Sequence, residues 1–340
     1  MTTLADQLKQ HTYNSEKDRL CAEFLDANRP RYLLGRNMYA RKVLEQIDVE
    51  GIIDDYAVET EYLGMPILHT EDLPGDAMVL ALSGGKPLSV EKRLQETGVL
   101  HLDYFAFFKY SGLPLDEIRF SEGFGQDYAD NKDKYDWLKR HMADAISLQQ
   151  LQQLIDFKLS YELDYLKGFQ DLEHLQYFEP FLSLSAHGEV FADVGSFDGF
   201  TSEEFIKHCP NYRGVHVFEP IPENMDKVMN RLSRFRDINY HPFGLSDRKQ
   251  TLRFEDNGSC SATCENGTIA IEVDRFDLLV NEPPTFIKMD IEGGELLAIE
   301  GAAETIRANK PVLAISAYHR PRDLWAIPEK VFTMHDRDRI

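Results

Sequence analysis

The 340-residue chain contains no apolar run of the roughly eighteen residues a membrane span requires, so no transmembrane segment is expected. Its amino end, 1–10, lacks the basic-then-apolar order of a secretion signal. Positive charge is short: 37 Lys and Arg against 58 Asp and Glu leave a formal charge of −21. That balance argues against a nucleic-acid partner, which needs cationic patches for phosphates, and against an anionic membrane surface. Cysteine is sparse too. Cys21, Cys209, Cys260 and Cys264 are scattered, and no second pair accompanies Cys260 and Cys264 to complete a zinc site. Free thiols in a reducing compartment are expected, hence a cytoplasmic location. What remains is ordinary for a globular protein, with 43% hydrophobic and 28% charged residues, and the length suits two domains.

Residues 1–28 read as one amphipathic helix, with Leu4, Leu8, Leu20, Phe24 and Leu25 on its buried side. An α/β pattern follows over 29–108. Strands are expected at Arg31–Leu34, Glu50–Asp54, Met78–Ser83 and the aromatic-rich Leu100–Phe108, with a helix over Met38–Ile47 after the first. This order implies parallel pairing. The turn Gly35-Arg-Asn37-Met-Tyr-Ala40 is a damaged dinucleotide fingerprint. Asn37 crowds the position where a glycine admits a pyrophosphate, whereas Ala40 preserves close helix packing. A scaffold, or a holder of a sugar nucleotide, fits better than a nicotinamide site. The stretch resembles the small nucleotide-fold domain in front of some sugar-modifying enzymes, a likeness that Gly64-Met-Pro-Ile-Leu and Glu71-Asp-Leu-Pro strengthen. Residues 109–180 show no strand pattern and read as a helical connector or lid, with a helix over Tyr165–Phe181. Within it, Gln176-Tyr177-Phe178 reads either as an aromatic cap over a ligand or as core packing.

The carboxyl-terminal part, 181–340, carries the chemistry. Glu189-Val-Phe-Ala-Asp193-Val-Gly195-Ser196-Phe-Asp-Gly199 reads as a buried strand ending in an acid and a glycine turn before a helix that contains Thr201. In open parallel sheets ligands sit at such strand ends. Carboxylate and bare backbone suit a ligand with an ammonium group and ribose hydroxyls. Gly214–Phe218 is a second strand, and Glu219 at its end has two oxygens that can accept from vicinal hydroxyls. A third, Ile238–Phe243, leads to Ser246 and Asp247, placed either to meet an adenine edge or to make a plain turn. Thr251–Phe254 and Ile269–Val273 are expected to pair antiparallel around the polar loop Asn257-Gly-Ser259-Cys-Ser261. A fourth strand ends in Met289-Asp290-Ile-Glu292-Gly293-Gly294, and alternation aims Asp290 and Glu292 to one side. A fifth, Pro311–Ser316, delivers Ala317-Tyr318-His319-Arg320 to the same edge.

Phe191-Ala-Asp-Val-Gly-Ser-Phe-Asp-Gly, Val217-Phe-Glu-Pro, Ile287-Lys-Met-Asp-Ile-Glu-Gly-Gly-Glu and Ala314-Ile-Ser-Ala-Tyr-His together resemble the FkbM family of S-adenosylmethionine-dependent methyltransferases over 181–330. The resemblance implies an α/β fold with a Rossmann-like class I methyltransferase sheet, and O-methylation of a sugar, glycan or secondary metabolite. By it Asp193, Gly195, Ser196, Gly199 and Thr201 surround the methionine part of S-adenosyl-L-methionine, and Glu219 holds its ribose. By it also Asp290, Glu292 and His319 face the methyl group and the acceptor, while Ser246 and Asp247 stay candidates for the adenine edge. His319 is the first choice of base, its ordinary pKa lying near neutrality, with Asp290 or Glu292 orienting it or taking the proton directly. Two carboxylates without a further ligand cluster do not establish a metal, and none is expected. Such sheets normally add two more strands after the fifth, whereas this chain stops at Met334-His-Asp-Arg-Asp-Arg-Ile340. That would leave an exposed parallel edge, which proteins ordinarily avoid, so either the sequence is shortened or a partner chain, as in a homo-oligomer, covers the edge. Two alternatives stay open: a nicotinamide-dependent oxidoreductase, and a non-catalytic module that binds a sugar nucleotide and a partner.

Overall fold

The computed structural model describes residues 3–170, 172, 175–255, 262–263 and 269–334. Cys260, Cys264, the 257–261 loop and 335–340 lie outside them. The chain divides into two compact units. One comprises Met1–Asp133 and Met142–Phe169, the other Lys134–His141 and Gln170–Ile340. Among the described residues no helix is long and apolar enough to cross a membrane.

The first unit holds strands β1 (Arg31–Leu34), β2 (Gly51–Ile53), β3 (Glu61–Tyr62), β4 (Met65–Leu68), β5 (Met78–Ala81) and β6 (Leu100–Asp103) in the order β3-β4-β2-β1-β5-β6. All neighbours are parallel except β3 with β4. Its central strands are buried on both faces, which is why they read as unbroken apolar runs.

Three local expectations are corrected here. Residues 1–28 form two helices, Leu4–His11 and Ser15–Leu25, because Asn14 caps the second by accepting from the Glu16 and Lys17 amides. The strand expected to reach Phe108 stops at Asp103, whose carboxylate accepts from the Ala106 amide and starts the helix Tyr104–Tyr110. The aromatic run therefore packs as one helix, with Phe105 and Phe107 fully buried. Among the described residues of 165–181 there is no α-helix; they hold the 3₁₀ turns Leu163–Leu166 and Pro180–Leu182, with Gly168 at φ +101° between them. After β1, Asn37 does the work expected of a bound phosphate. Its Oδ1 accepts from the Tyr39 and Ala40 amides and its Nδ2 donates to the Leu82 carbonyl at 2.8 Å, so the helix start is already capped from within.

The second unit is built on β7 (Val190–Val194), β8 (Gly214–Phe218), β9 (Ile238–His241), β10 (Gly244–Leu245), β11 (Gln250–Glu255), β12 (Ala262–Thr263), β13 (Ile269–Asp274), β14 (Phe286–Met289) and β15 (Val312–Ile315). Five strands make one all-parallel sheet in the order β15-β14-β7-β8-β9. The rest form a small sheet, β10-β13-β11-β12, in which β11 and β13 are antiparallel. Every residue of β7 is buried. On one face Phe191 stacks on Phe205 at 4.5 Å and leans on Phe286 at 5.0 Å. The opposite face is packed by Val194, Met289, Ala298 and Ile299. The helix Lys132–His141 contributes to this unit through Tyr135, which donates to the Pro321 carbonyl, and Trp137, whose ring meets Phe332 at 5.2 Å. Among the described residues β15 pairs with β14 alone and is followed by the helix Asp323–Phe332.

Candidate functional site

The second sheet grows outward from β7 through β8 to β9, then resumes on the other side of β7 with β14 and β15. Reversal of strand order opens a crevice at the carboxyl ends of β7 and β14, and a cavity of about 310 Å³ lies there. Gly195 and Phe197 come to it from the turn after β7, Glu219 from the end of β8, Asn224 from the helix Pro222–Leu232, Gly244 from β10 and Ser246 from just beyond it. Asp290, Glu292 and Arg320 close the far side, and Leu252, Ile271 and Val273 of the small sheet make an apolar wall. Few polar groups on an apolar surface is the usual composition of a small-molecule site.

The turn after β7 is set by backbone approach. Gly195 has φ +78°, and a Cβ there would overlap the Asp290 carbonyl oxygen and lie 3.0 Å from Ile291 Cγ2. Phe197 takes φ +56°, a left-handed backbone that normally favours glycine, and donates its amide to Glu219 Oε2 at 2.9 Å. Glu219 Oε1 accepts from the Ile221 amide, also at 2.9 Å. Burial raises the Glu219 pKa, and the Ile221 and Phe197 amides pull against that rise. The Asn224 side chain hydrogen-bonds to the carboxylate as well, and the acceptor capacity that remains is open to a ligand hydroxyl.

Asp193 is placed otherwise than expected. It sits in register with Lys288 on β14, fully buried, with Lys288 Nζ 3.1 Å from Oδ1 and the Ser202 hydroxyl donating to Oδ2 at 2.7 Å. Lys288 also donates to the Gly195 carbonyl at 2.6 Å. The carboxylate thus faces an internal cation and is absent from the cavity wall. In-register residues on neighbouring strands share one face of the sheet. A lysine inside the apolar run Phe286-Ile-Lys-Met was the signal for this pair, since a buried charge needs an opposite one.

Gly199, Thr201 and Asp247 do not line the cavity either. Gly199, at φ +81°, caps the helix Phe200–His208, Thr201 lies in its first turn, and Asp247 accepts from the Ser246 hydroxyl. Ser196 is buried just behind the wall, its Oγ without a hydrogen-bond partner.

Four groups meet at the end of β14. His319 Nε2 lies 3.3 Å from Asp290 Oδ1 and 3.8 Å from Glu292 Oε2, while Nδ1 lies 3.1 Å from Glu295 Oε1. Glu295 had no expected role. It opens the helix Glu295–Gly301 and also accepts from the Ile291 amide. Burial lowers the His319 pKa, but Glu295, Asp290 and Glu292 outweigh it and hold it above the ordinary value. For Glu295 burial raises the pKa, and His319 more than reverses it. The three carboxylates around the ring favour its charged form. Tyr177 donates to Asp290 Oδ2 at 3.0 Å and Tyr318 to Oδ1 at 3.2 Å. Tyr177 therefore faces the site, and its neighbour Phe178 is the residue that packs in the core, against Phe191 and Phe286.

A parallel sheet with a reversal crevice and polar groups at the strand ends defines the class, an α/β protein of the methyltransferase fold. Residues 190–337 match the Methyltransferase FkbM domain. The structure of a methyltransferase FkbM from Methylobacillus flagellatus aligns with a TM-score of 0.72 at 24% identity, covering 95% of this chain and 88% of that one. This likeness shows the fold. The CurJ carbon methyltransferase and an S-adenosylmethionine-dependent methyltransferase from Leishmania major align with TM-scores of only 0.25, at 11% and 12% identity. They cover 64% and 63% of this chain and 55% and 75% of their own lengths, and no argument rests on them. No curated protein sequence matches the chain.

Proposed function

We propose that the chain methylates a hydroxyl of a sugar, glycan or secondary metabolite, with S-adenosyl-L-methionine as methyl donor. The observation that carries this reading is Glu219. Its carboxylate is 5% exposed, held by two amides at the cavity wall, and placed to accept from vicinal ribose hydroxyls. The residues fit the donor in two further ways. Gly195 leaves bare backbone at the crevice, and Phe218, Leu245 and Ile271 make an apolar slot beside Ser246 suited to a purine. The donor supplies an electrophilic methyl on a cationic sulfonium. Asp290 and Glu292 stand at the strand end nearest that charge, and either is placed to take the acceptor's proton. His319 bridges them to Glu295 and fixes their orientation, while Tyr177 and Tyr318 steady Asp290. Asp193 and Lys288 act from behind, holding the Gly195 carbonyl. In the first unit, the self-capped turn at Asn37 favours a scaffold over a nucleotide site.

Calorimetry tests the donor site. Glu219→Ala is expected to weaken S-adenosylmethionine binding about ten- to a hundredfold, the scale of one or two hydrogen bonds to a charged group. Equal affinity in both forms would overturn the ribose assignment.

A further inference from the structure

Asp290, Glu295 and His319 each present one ligand atom, and the three atoms lie within 4.8 Å of one another. We propose that these side chains hold a divalent metal ion beside the cavity, just behind the wall to which Asp290 contributes.

Charge is the first argument. Three carboxylates, those of Asp290, Glu292 and Glu295, surround one imidazole, so even a protonated ring leaves the group net negative. The second argument is independent of charge. Glu295 is 1% exposed, its side chain points into the cluster, and its Oε2 is buried with no hydrogen-bond partner. An imidazolium bridging Glu295 Oε1 and Asp290 Oδ1 would account for both ring nitrogens and still leave Oε2 bare. A metal ion would engage it.

Spacing is the third argument. The ligand atoms of Asp290, Glu295 and His319 lie within 4.8 Å of one another. The imidazole gives an ion only one of its nitrogens, and Asp290 approaches Nε2 while Glu295 approaches Nδ1, so binding would draw one carboxylate round the ring to reach a ligand distance of about 2.0–2.2 Å. Asp290 is oriented by the Tyr177 and Tyr318 hydroxyls, the outer support that ligating carboxylates usually receive. Two carboxylates and one imidazole suit Mn²⁺, Mg²⁺ or Zn²⁺. Resting on the reading above, such an ion would bind the acceptor hydroxyl and make it more acidic.

The test uses the full chain and Mn²⁺ as probe, read by loss of the free-ion electron paramagnetic resonance signal, with Zn²⁺ calorimetry as a second arm. One ion per chain is expected, with affinity falling at least about tenfold in Glu295→Gln and in Asp290→Asn. Urea midpoints establish that the variants fold. Should Glu295→Gln prove unfolded, the Asp290→Asn result decides. No binding of either metal at millimolar concentration, or unchanged affinity in the folded variants, overturns the proposal. S-adenosylmethionine affinity is measured on the same samples. Donor binding without metal binding removes only the ion, whereas metal binding without donor binding removes the methyl-transfer reading.

Discussion

Replacing Gly195 by alanine is the sharpest single perturbation of the site. Gly195 has φ +78°, and an L-residue in left-handed backbone costs about 1–2 kcal/mol. The new methyl would also overlap the Asp290 carbonyl oxygen and lie 3.0 Å from both the carbonyl carbon and Ile291 Cγ2. Relief requires the ends of β7 and β14 to part, an overpacking cost of about 1–3 kcal/mol. Together these predict about 2–5 kcal/mol of lost stability. The displaced atoms belong to Asp290, so a shift on the order of 1 Å also lowers turnover about a hundredfold. Gly199→Ala is the matched control. Its φ is +81°, but its nearest neighbour is Val228 Cα at 3.3 Å, away from the cavity. It should lose about 1–2 kcal/mol from backbone strain and keep its donor affinity. Urea titration gives stability, and calorimetry with S-adenosylmethionine gives affinity. A Gly195→Ala protein with native midpoint and native affinity would refute the close-approach argument.

Two further predictions follow from buried charge. Lys288→Met leaves Asp193 without its cation and should cost about 3–5 kcal/mol, whereas Lys288→Met with Asp193→Leu should recover most of it; a double variant no more stable than the single one, by urea midpoint, contradicts this. The second concerns His241, whose ring stacks on Phe218 at 4.4 Å with its Nε2 3.1 Å from His216 Nδ1. Burial, then His216, lowers its pKa from 6.5 to about 4. Because the unfolded chain takes up this proton first, the native state is fully favoured above pH 6.5 and loses stability as pH falls towards 4. The loss is at most about 3 kcal/mol, less for partial exposure. The drop in urea midpoint between pH 7 and pH 5 should shrink in His241→Gln, and an unchanged drop would exclude the pair as its source.

Strand ends were the legible part of this chain. Buried parallel strands read as apolar runs, so the acids that interrupt them at Glu219, Asp290 and Glu292 stood out, and the structure sets all three on the cavity wall. Less legible was anything decided between strands. Asp193 has the same strand-end signature as Glu219, yet the β7–β14 register pairs it with Lys288. Glu295 enters the site from the first turn of the helix after β14, a position that no spacing in the sequence marks. Around Leu100–Phe108, β-prone aromatics outweighed one capping Asp103 in the reading, while in the fold the cap prevails.

Tyr177 precedes the matched domain, which begins at residue 190, yet its hydroxyl holds Asp290. Tyr135 and Trp137, earlier still, brace the turn and helix after His319. A fragment cut at the family boundary would retain every strand of the sheet and lose the struts that aim its acidic end. The acidic end of this sheet is therefore completed by a discontinuous set of segments, and engineering it as a module means carrying both outlying segments along.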